Sequence, residues 1–298
     1  MIKPILCIGG ANIDKKLRMA QPLQYATSNP VISNTSFGGV ARNVAENLAH
    51  WTTGIHLQSA VGNDAEGKRL LSYLKNLSIQ IDSCFTIDHL TTANYYALLK
   101  PDGELDFAFA DMDIYDHISL SYFKDHWQQH QDKSIIFLDT NFPHAILEYV
   151  LRESKNRMLC IDPVSIEKAK KLPSLLEHVF FIKPNQFEIQ ALTDIQITSL
   201  SDCRSAAWHL LDRGVKNVIL TLGEKGYVLI NDKQTHHVEA HTVKQIHDVN
   251  GAGDAFVAGI LFGLQQDYDL VEACRFGAKA ATFTLQSSQT VAKKFKLS

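Results

Sequence analysis

Asp248-Val249-Asn250-Gly251-Ala252-Gly253-Asp254-Ala255-Phe256 runs straight into an apolar series, Val257, Ala258, Ile260, Leu261 and Phe262. Two glycines and an alanine ahead of such a series predict a tight turn feeding the N-terminus of a buried helix. The first amides of a helix lack partners within it and sit at the positive end of its dipole. Such a turn can hold a phosphate or a developing negative charge. Asp254 falls in the first turn, beside that anion site. A carboxylate there suits a group that takes a proton from an attacking hydroxyl. Alone, the string reads equally well as a loop whose Asp254 complements the dipole.

Upstream, Ile135–Leu138, Met158–Ile161, Val179–Ile182 and Val218–Leu222 are short, continuous apolar runs separated by amphipathic segments. That alternation predicts a mainly parallel, doubly wound α/β sheet with helices on both faces. Ile5–Ile8 is a further buried strand, and Asn12 and Asp14 follow Gly9-Gly10, where strand ends in such sheets meet ligands. Phe37-Gly38-Gly39-Val40-Ala41-Arg42-Asn43 opens a helix on a second glycine pair. Ile55–Val61 reads as one strand and Asp64–Leu77 as an amphipathic helix.

Two stretches depart from the βα rhythm. Residues 15–36 are polar, contain Pro22 and Pro30, and read as short edge strands or loops. Thr91–Leu99 and Glu104–Phe109 flank the turn Pro101-Asp102-Gly103 and predict a hairpin, a candidate flap. A second hairpin, Tyr227–Ile230 with His236–Val243, precedes the opening motif, and a helix over Leu270–Leu285 closes the chain.

The 298 residues suit one large domain, and 45% apolar with 20% charged residues describes a globular chain. A net charge of −3 gives no reason to expect nucleic acid or an anionic membrane as partner. No apolar run approaches a membrane span and no leader is legible, so the expected compartment is the cytoplasm. Five scattered cysteines without CxxC spacing agree with reduced thiols.

Several strings admit two readings. Gly62-Asn63-Asp64-Ala65-Glu66-Gly67-Lys68-Arg69 nearly matches a P-loop, but Arg69 replaces the required hydroxyl and two acids would enter the phosphate cradle. It is read as a strand-to-helix turn. Asn185 and Glu188 form either a helix-capping pair or, at a sheet edge, a site that orients waters around Mg²⁺. Thr221-Leu222-Gly223-Glu224-Lys225-Gly226 is a hairpin turn or a backbone surface against a nucleotide. His236, His237, His241 and His247, and the pair His126/His130, lack the partners of a zinc site.

The two glycine motifs, with Asn12 and Asp14, Asn185–Glu188 and Thr221-x-Gly223, together resemble the ribokinase (PfkB) family of sugar and nucleoside kinases, in order over the whole chain. The resemblance implies a single ribokinase-like domain over 1–298 with a small β lid, at about 15–36 and 90–112, and ATP-dependent phosphotransfer to an alcohol. The pattern is most like the branch that phosphorylates pseudouridine on its 5′-hydroxyl. It rests on Ser28-Asn29-Pro30, Gly38 through Ala49, Ala110-Asp111-Met112-Asp113 and Asp162-Pro163-Val164-Ser165. Val40 stands where ribokinases carry lysine, and the glutamate they place near Asn141 is missing, which favours a nucleoside over free ribose. A kinase for another nucleoside or sugar, or a non-catalytic nucleoside sensor, are the alternatives.

By this resemblance Asp14 would hold ribose hydroxyls, with Asn12, Gly38, Gly39 and Asn43, and with Asn141 as a further contact. Asp254 would be the base, and the amides of Gly251, Ala252 and Gly253 would stabilise the transferring phosphoryl group. ATP would lie against Asn185, Thr221, Gly223, Gly226, Gly251 and Gly253. Mg²⁺ would be held by Glu188 and, through water, Asn185, and K⁺ by Asp248. Thr92, Asn94 and Asp111 are the lid residues that could read the base. A homodimer through the lid is a further arrangement the resemblance allows.

Overall fold

The computed structural model describes all residues except 1, 131, 133, 244, 245, 247, 248, 288 and 293–298. Its strands are β1 (Ile5–Ile8), β2 (Asn12–Met19), β3 (Val31–Gly38), β4 (Ile55–Gln58), β5 (Ala60–Gly62), β6 (Phe85–Ile87), β7 (Asn94–Leu99) and β8 (Leu105–Asp111). They continue as β9 (Ile135–Asp139), β10 (Met158–Asp162), β11 (Val179–Ile182), β12 (Val218–Thr221), β13 (Tyr227–Ile230) and β14 (Thr235–Val238). The helices are α1 (Val40–Ala49), α2 (Ala65–Asn76), α3 (Leu120–Trp127), α4 (His144–Glu153) and α5 (Ile166–Ala169). After these come α6 (Gln186–Thr193), α7 (Leu200–Asp212), α8 (Ala252–Gln265) and α9 (Leu270–Leu285).

The main sheet runs β14-β13-β12-β11-β10-β9-β1-β4, parallel from β12 to β4, with β13 and β14 antiparallel at one end. Its central strands are apolar on both faces because each face has its own core. Ile5 and Cys7 of β1, with Ile135 and Phe137 of β9, pack among α1, α2, α8 and α9. Leu6 and Ile8, with Ile136 and Leu138, pack among α3, α4, α6 and α7 on the other face. The period-2 alternation of a strand is thus hidden inside a continuous apolar run.

A separate four-stranded sheet, β3-β2-β7-β8, is joined to the main sheet through the three residues between β1 and β2. Residues 15–36, expected as short edges or loops, contribute two eight-residue strands paired from Asn12↔Gly38 to Met19↔Val31. The side chains of β3 are largely exposed and those along the middle of β2 are half-buried and polar, so no apolar periodicity announced them. Ile55–Val61 is also not one strand. It leaves the main sheet at Ser59, and β5 pairs with β6 instead. His236–Val243 forms a strand only over Thr235–Val238.

The P-loop lookalike is the turn it was read as. Asp64 caps α2 by accepting from Gly67 N at 2.7 Å, and it also accepts the Thr92 amide at 2.7 Å and hydroxyl at 2.8 Å. It ties the base of the small sheet to the body. His126 is half-buried and bonds to the Tyr122 carbonyl, and the described residues hold no cluster of three metal-ligating side chains. His247 and Asp248, and with them the K⁺ assignment, lie outside the described residues.

Candidate active site

From β1 the chain winds out to β4 on one side and later crosses back to β9 on the other, so the sheet's topological switch lies at β1, the usual place for a ligand crevice. Parallel β1, β9, β10, β11 and β12 end on that edge. They deliver Asn12 just beyond β1, then Asp139, Asp162, Lys183 and Thr221.

Asp14 is half-buried on β2 and accepts from Asn12 Nδ2 at 2.7 Å. Burial pushes its carboxyl above the ordinary value, against the Asn12 hydrogen bond and the charges of Arg42 and Lys16. A Cβ on Gly38 would lie 2.2 Å from Asp14 Oδ1, so that position must be glycine for the carboxylate to sit there. Gly39, at φ +99°, passes so near Gly10 that a Cβ would come 2.3 Å from its carbonyl oxygen.

Under this edge lies a carboxylate that sequence reasoning passed over. Asp139 is 0% exposed and accepts Gly10 N at 2.8 Å, Ala41 N at 3.0 Å, Asn141 N at 2.9 Å and Asn141 Nδ2 at 2.8 Å. It stitches the end of β1 to the start of α1, and burial still raises its carboxyl above the usual range. Asn141, assigned to the substrate, spends both amide ends inside the protein. Nδ2 goes to Asp139, and Oδ1 accepts Lys168 Nζ at 2.6 Å.

Gly251 takes φ +80° at the N-cap of α8, with its missing side chain replaced by the Thr290 backbone 2.1 Å from the Cβ position. Asp254, half-buried in the first turn of α8, accepts from Asn43 Nδ2 at 2.6 Å. Burial and the negative charge of Asp162 push its carboxyl up to about 7, against Asn43, Lys183 and Arg42. That is a value at which a carboxylate can both accept and release a proton near neutrality. Asn43, expected on the sugar, thus holds Asp254. One helix, α1, spans the gap between the two acids: Gly38 at its entry abuts Asp14, and Asn43 reaches Asp254.

Lys183 was also missed as a site residue. Its ammonium lies 3.1 Å from Asp162 Oδ2 and 3.9 Å from where a Cβ on Gly253 would stand. Burial alone would lower its pKa, but Asp162, Glu188 and Asp254 together hold it above the usual value. Only three-dimensional proximity reveals this group, since its residues lie on β10, just beyond β11, on α6 and on α8.

Asn185 and Glu188 form the capping box. Asn185 Oδ1 accepts from Phe187 N and Glu188 N at 2.8 and 2.9 Å, while Glu188 accepts from Asn185 N and Nδ2 at 2.9 and 2.8 Å. Burial and Asp162 raise the Glu188 carboxyl. Three acids, Asp162, Glu188 and Asp254, therefore share one ammonium, and surplus charge on hard oxygen donors is what Mg²⁺ relieves. Asn185 Oδ1 and both Glu188 oxygens are engaged in the cap, so a Mg²⁺ ion here would meet them through its waters.

Thr221 donates its amide to Pro184 O at 3.0 Å and so lies beside Asn185. Gly223, at φ +62°, has nothing within 4 Å of its Cβ position, whereas a Cβ on Gly226 would meet Val238 O at 2.0 Å. Gly223 leaves an open backbone surface; Gly226 is required by the β13–β14 hairpin. On the small sheet Thr92 is committed to Asp64 and to Gly62 N. Asn94 pairs with Ile13 and Asp111, and in-register neighbours share a face, so both lie on the face opposite Asp14. Tyr95 and Ala110 occupy the Asp14 register instead.

The pfkB family carbohydrate kinase model matches residues 3–295. The chain is 30% identical over 286 residues to the pseudouridine kinase of Escherichia coli K12, covering 96% of this chain and 91% of that protein. A carbohydrate kinase from Agrobacterium tumefaciens superposes with a TM-score of 0.85 at 27% identity, covering 99% and 94% of the two chains. Arabidopsis thaliana ribokinase, solved with ribose and ATP, does so with a TM-score of 0.85 at 21% identity, covering 97% and 94%. The main parallel sheet, its helices on both faces and the matching family model agree: the chain belongs to the pfkB family of carbohydrate kinases, ATP-dependent phosphotransferases with a ribokinase-like fold.

Proposed function

We propose that this kinase phosphorylates the 5′-hydroxyl of a nucleoside, and that the nucleoside is pseudouridine. The observation that carries the proposal is the bracket made by α1, with Asp14 against its glycine entry and Asp254 on Asn43. A diol held at Asp14 would direct its primary alcohol toward Asp254. The 30% identity to a pseudouridine kinase supports the choice of base.

Asp14, oriented by Asn12, would accept hydrogen bonds from two vicinal ribose hydroxyls, which a carboxylate does well. Asp254 would take the 5′-hydroxyl proton. The amides of Gly251, Ala252 and Gly253 at the start of α8, with the Lys183 ammonium behind Gly253, would hold the charge that spreads over the transferring group. Thr221 and Gly223 offer the surface for the nucleotide, and Glu188 with Asn185 would hold the waters of Mg²⁺. ATP with Mg²⁺ supplies the phosphoryl group and neutralises its charge. The small sheet, with segments 15–36 and 90–112, acts as the lid, and Tyr95 beside Asp14 faces the base. Exposed Ile32, Phe107 and Phe109 on the lid's outer strands favour a homodimer formed there. Consumption of ATP and five unbridged thiols fit the cytoplasm.

A panel of pseudouridine, uridine, inosine, adenosine and ribose, read by ATP consumption and by the position of the new phosphate, tests the proposal. Turnover of pseudouridine at least about tenfold above the others is expected, as a site built to pair one extra ring N–H discriminates strongly. Preference for ribose or a purine nucleoside would refute the assignment of the base. Tight nucleoside binding without any phosphate transfer would replace the kinase by a sensor.

A further inference from the structure

Behind Asn43 sits a buried ion pair that none of the roles above requires. Arg42 and Glu46, one turn apart on α1, are each 2% exposed and paired through Arg42 Nη1 and Glu46 Oε2. The guanidinium also donates from Nε to Gly38 O at 3.1 Å, from Nη2 to Phe37 O at 2.6 Å, and from Nη2 to the side-chain oxygen of Asn43. The other Glu46 oxygen accepts from the Tyr73 hydroxyl of α2 at 2.5 Å, and the Tyr73 ring packs on Phe37 with centroids 4.8 Å apart.

An amide has one accepting end and one donating end, and a guanidinium only donates. With Oδ1 of Asn43 turned to Arg42, its Nδ2 must face the other way, and there it meets Asp254 Oδ2 at 2.6 Å. A flipped amide would set oxygen against carboxylate. Stability does not account for the pair, since an apolar pair of similar volume usually fills such a space at least as well. Arg42 also grips the last two carbonyls of β3, and Gly38 is the residue against which Asp14 rests.

We propose that Arg42, held by Glu46 and Tyr73, is a positioning residue that fixes the Asn43 amide to aim Asp254, and that couples this aim to the seating of the sugar-side strand end. The proposal rests on the reading of Asp254 as the base. The test uses the full chain, with kcat, both KM values and thermal midpoints measured for wild type, Asp254→Asn, Arg42→Lys and the double variant Arg42→Met/Glu46→Leu. Arg42→Lys keeps the charge but loses the fork, and the double variant keeps apolar packing but loses the orientation. Each is expected to lose about a hundredfold in kcat, the scale of a small misplacement, with the ATP KM within about threefold of wild type. Tyr73→Phe, which removes one hydrogen bond, loses less than either. Should the double variant fail to fold, Arg42→Lys, read per folded molecule, decides. Wild-type kcat per folded molecule in these variants, beside an inactive Asp254→Asn, would overturn the proposal alone. An Asp254→Asn enzyme at wild-type kcat would overturn the base reading and the proposal with it.

Discussion

Replacing Asp254 by Asn should make the protein more stable and nearly inactive. The carboxyl moves from 3.8 to about 7 on folding, roughly three units at about 1.36 kcal/mol each. Above pH 7 the ionised side chain therefore costs the folded state up to about 4 kcal/mol, and about 2 kcal/mol once its remaining contact with water is allowed for. The native chain binds more protons than the unfolded chain between those two values. Wild-type stability accordingly falls as pH rises from about 4 to about 7, then levels off. An amide does not ionise and still accepts from Asn43. The variant should melt with wild type near pH 4 and several degrees above it at pH 8. Its kcat should fall by about 10²–10⁴. Thermal melts of the ligand-free protein across that pH range, with steady-state ATP consumption, measure both. A variant that melts below wild type at pH 8, or retains kcat within about tenfold, would refute the reasoning.

Three further substitutions probe separate parts of the site. Gly38→Ala places a methyl 2.2 Å from Asp14 Oδ1 and should raise the nucleoside KM at least about tenfold while leaving the ATP KM unchanged. Glu188→Gln should raise the Mg²⁺ concentration for half-maximal activity by about tenfold, read by metal titration at saturating substrates. Thr92→Val removes the hydroxyl shared by Asp64 and Gly62 N and should cost about 1–3 kcal/mol in denaturant unfolding.

The main sheet was legible because burial on both faces turns its strands into unbroken apolar runs, as in Ile135–Asp139. Of the small sheet, the β7–β8 hairpin was legible from its turn, whereas β2–β3 was not, because Val31–Gly38 is exposed along most of its length and carries no contrast between faces. Nor can hydropathy register that a chain changes sheets, so Ile55–Val61 looked continuous across Ser59. At the candidate site, Asp14, Gly38 and Asp254 were singled out because turn glycines next to acids leave a local mark. Asp139 and Lys183 leave none, and Asp162 entered only within a resembling string, since their meaning lies in partners far away in sequence. Asn43 was singled out for the sugar, and its amide donates to Asp254, a contact not legible locally because nothing in the sequence says which way an amide points. Thr92 and Asn94 were singled out by residue type; hydrogen bonds commit the first to Asp64, and the strand register turns the second away from Asp14.

The small sheet is spliced from two distant stretches, β2–β3 and β7–β8, zipped together by the parallel pairing of β2 with β7. Neither half is a module. Transplanting a new base preference from a relative would need both inserts at once, and the recipient must keep the Asp64–Thr92 clamp on which the second insert is seated. A graft of one segment would leave half a ladder facing strangers, so recombination between kinases of this build should cross over in the body and spare the cap.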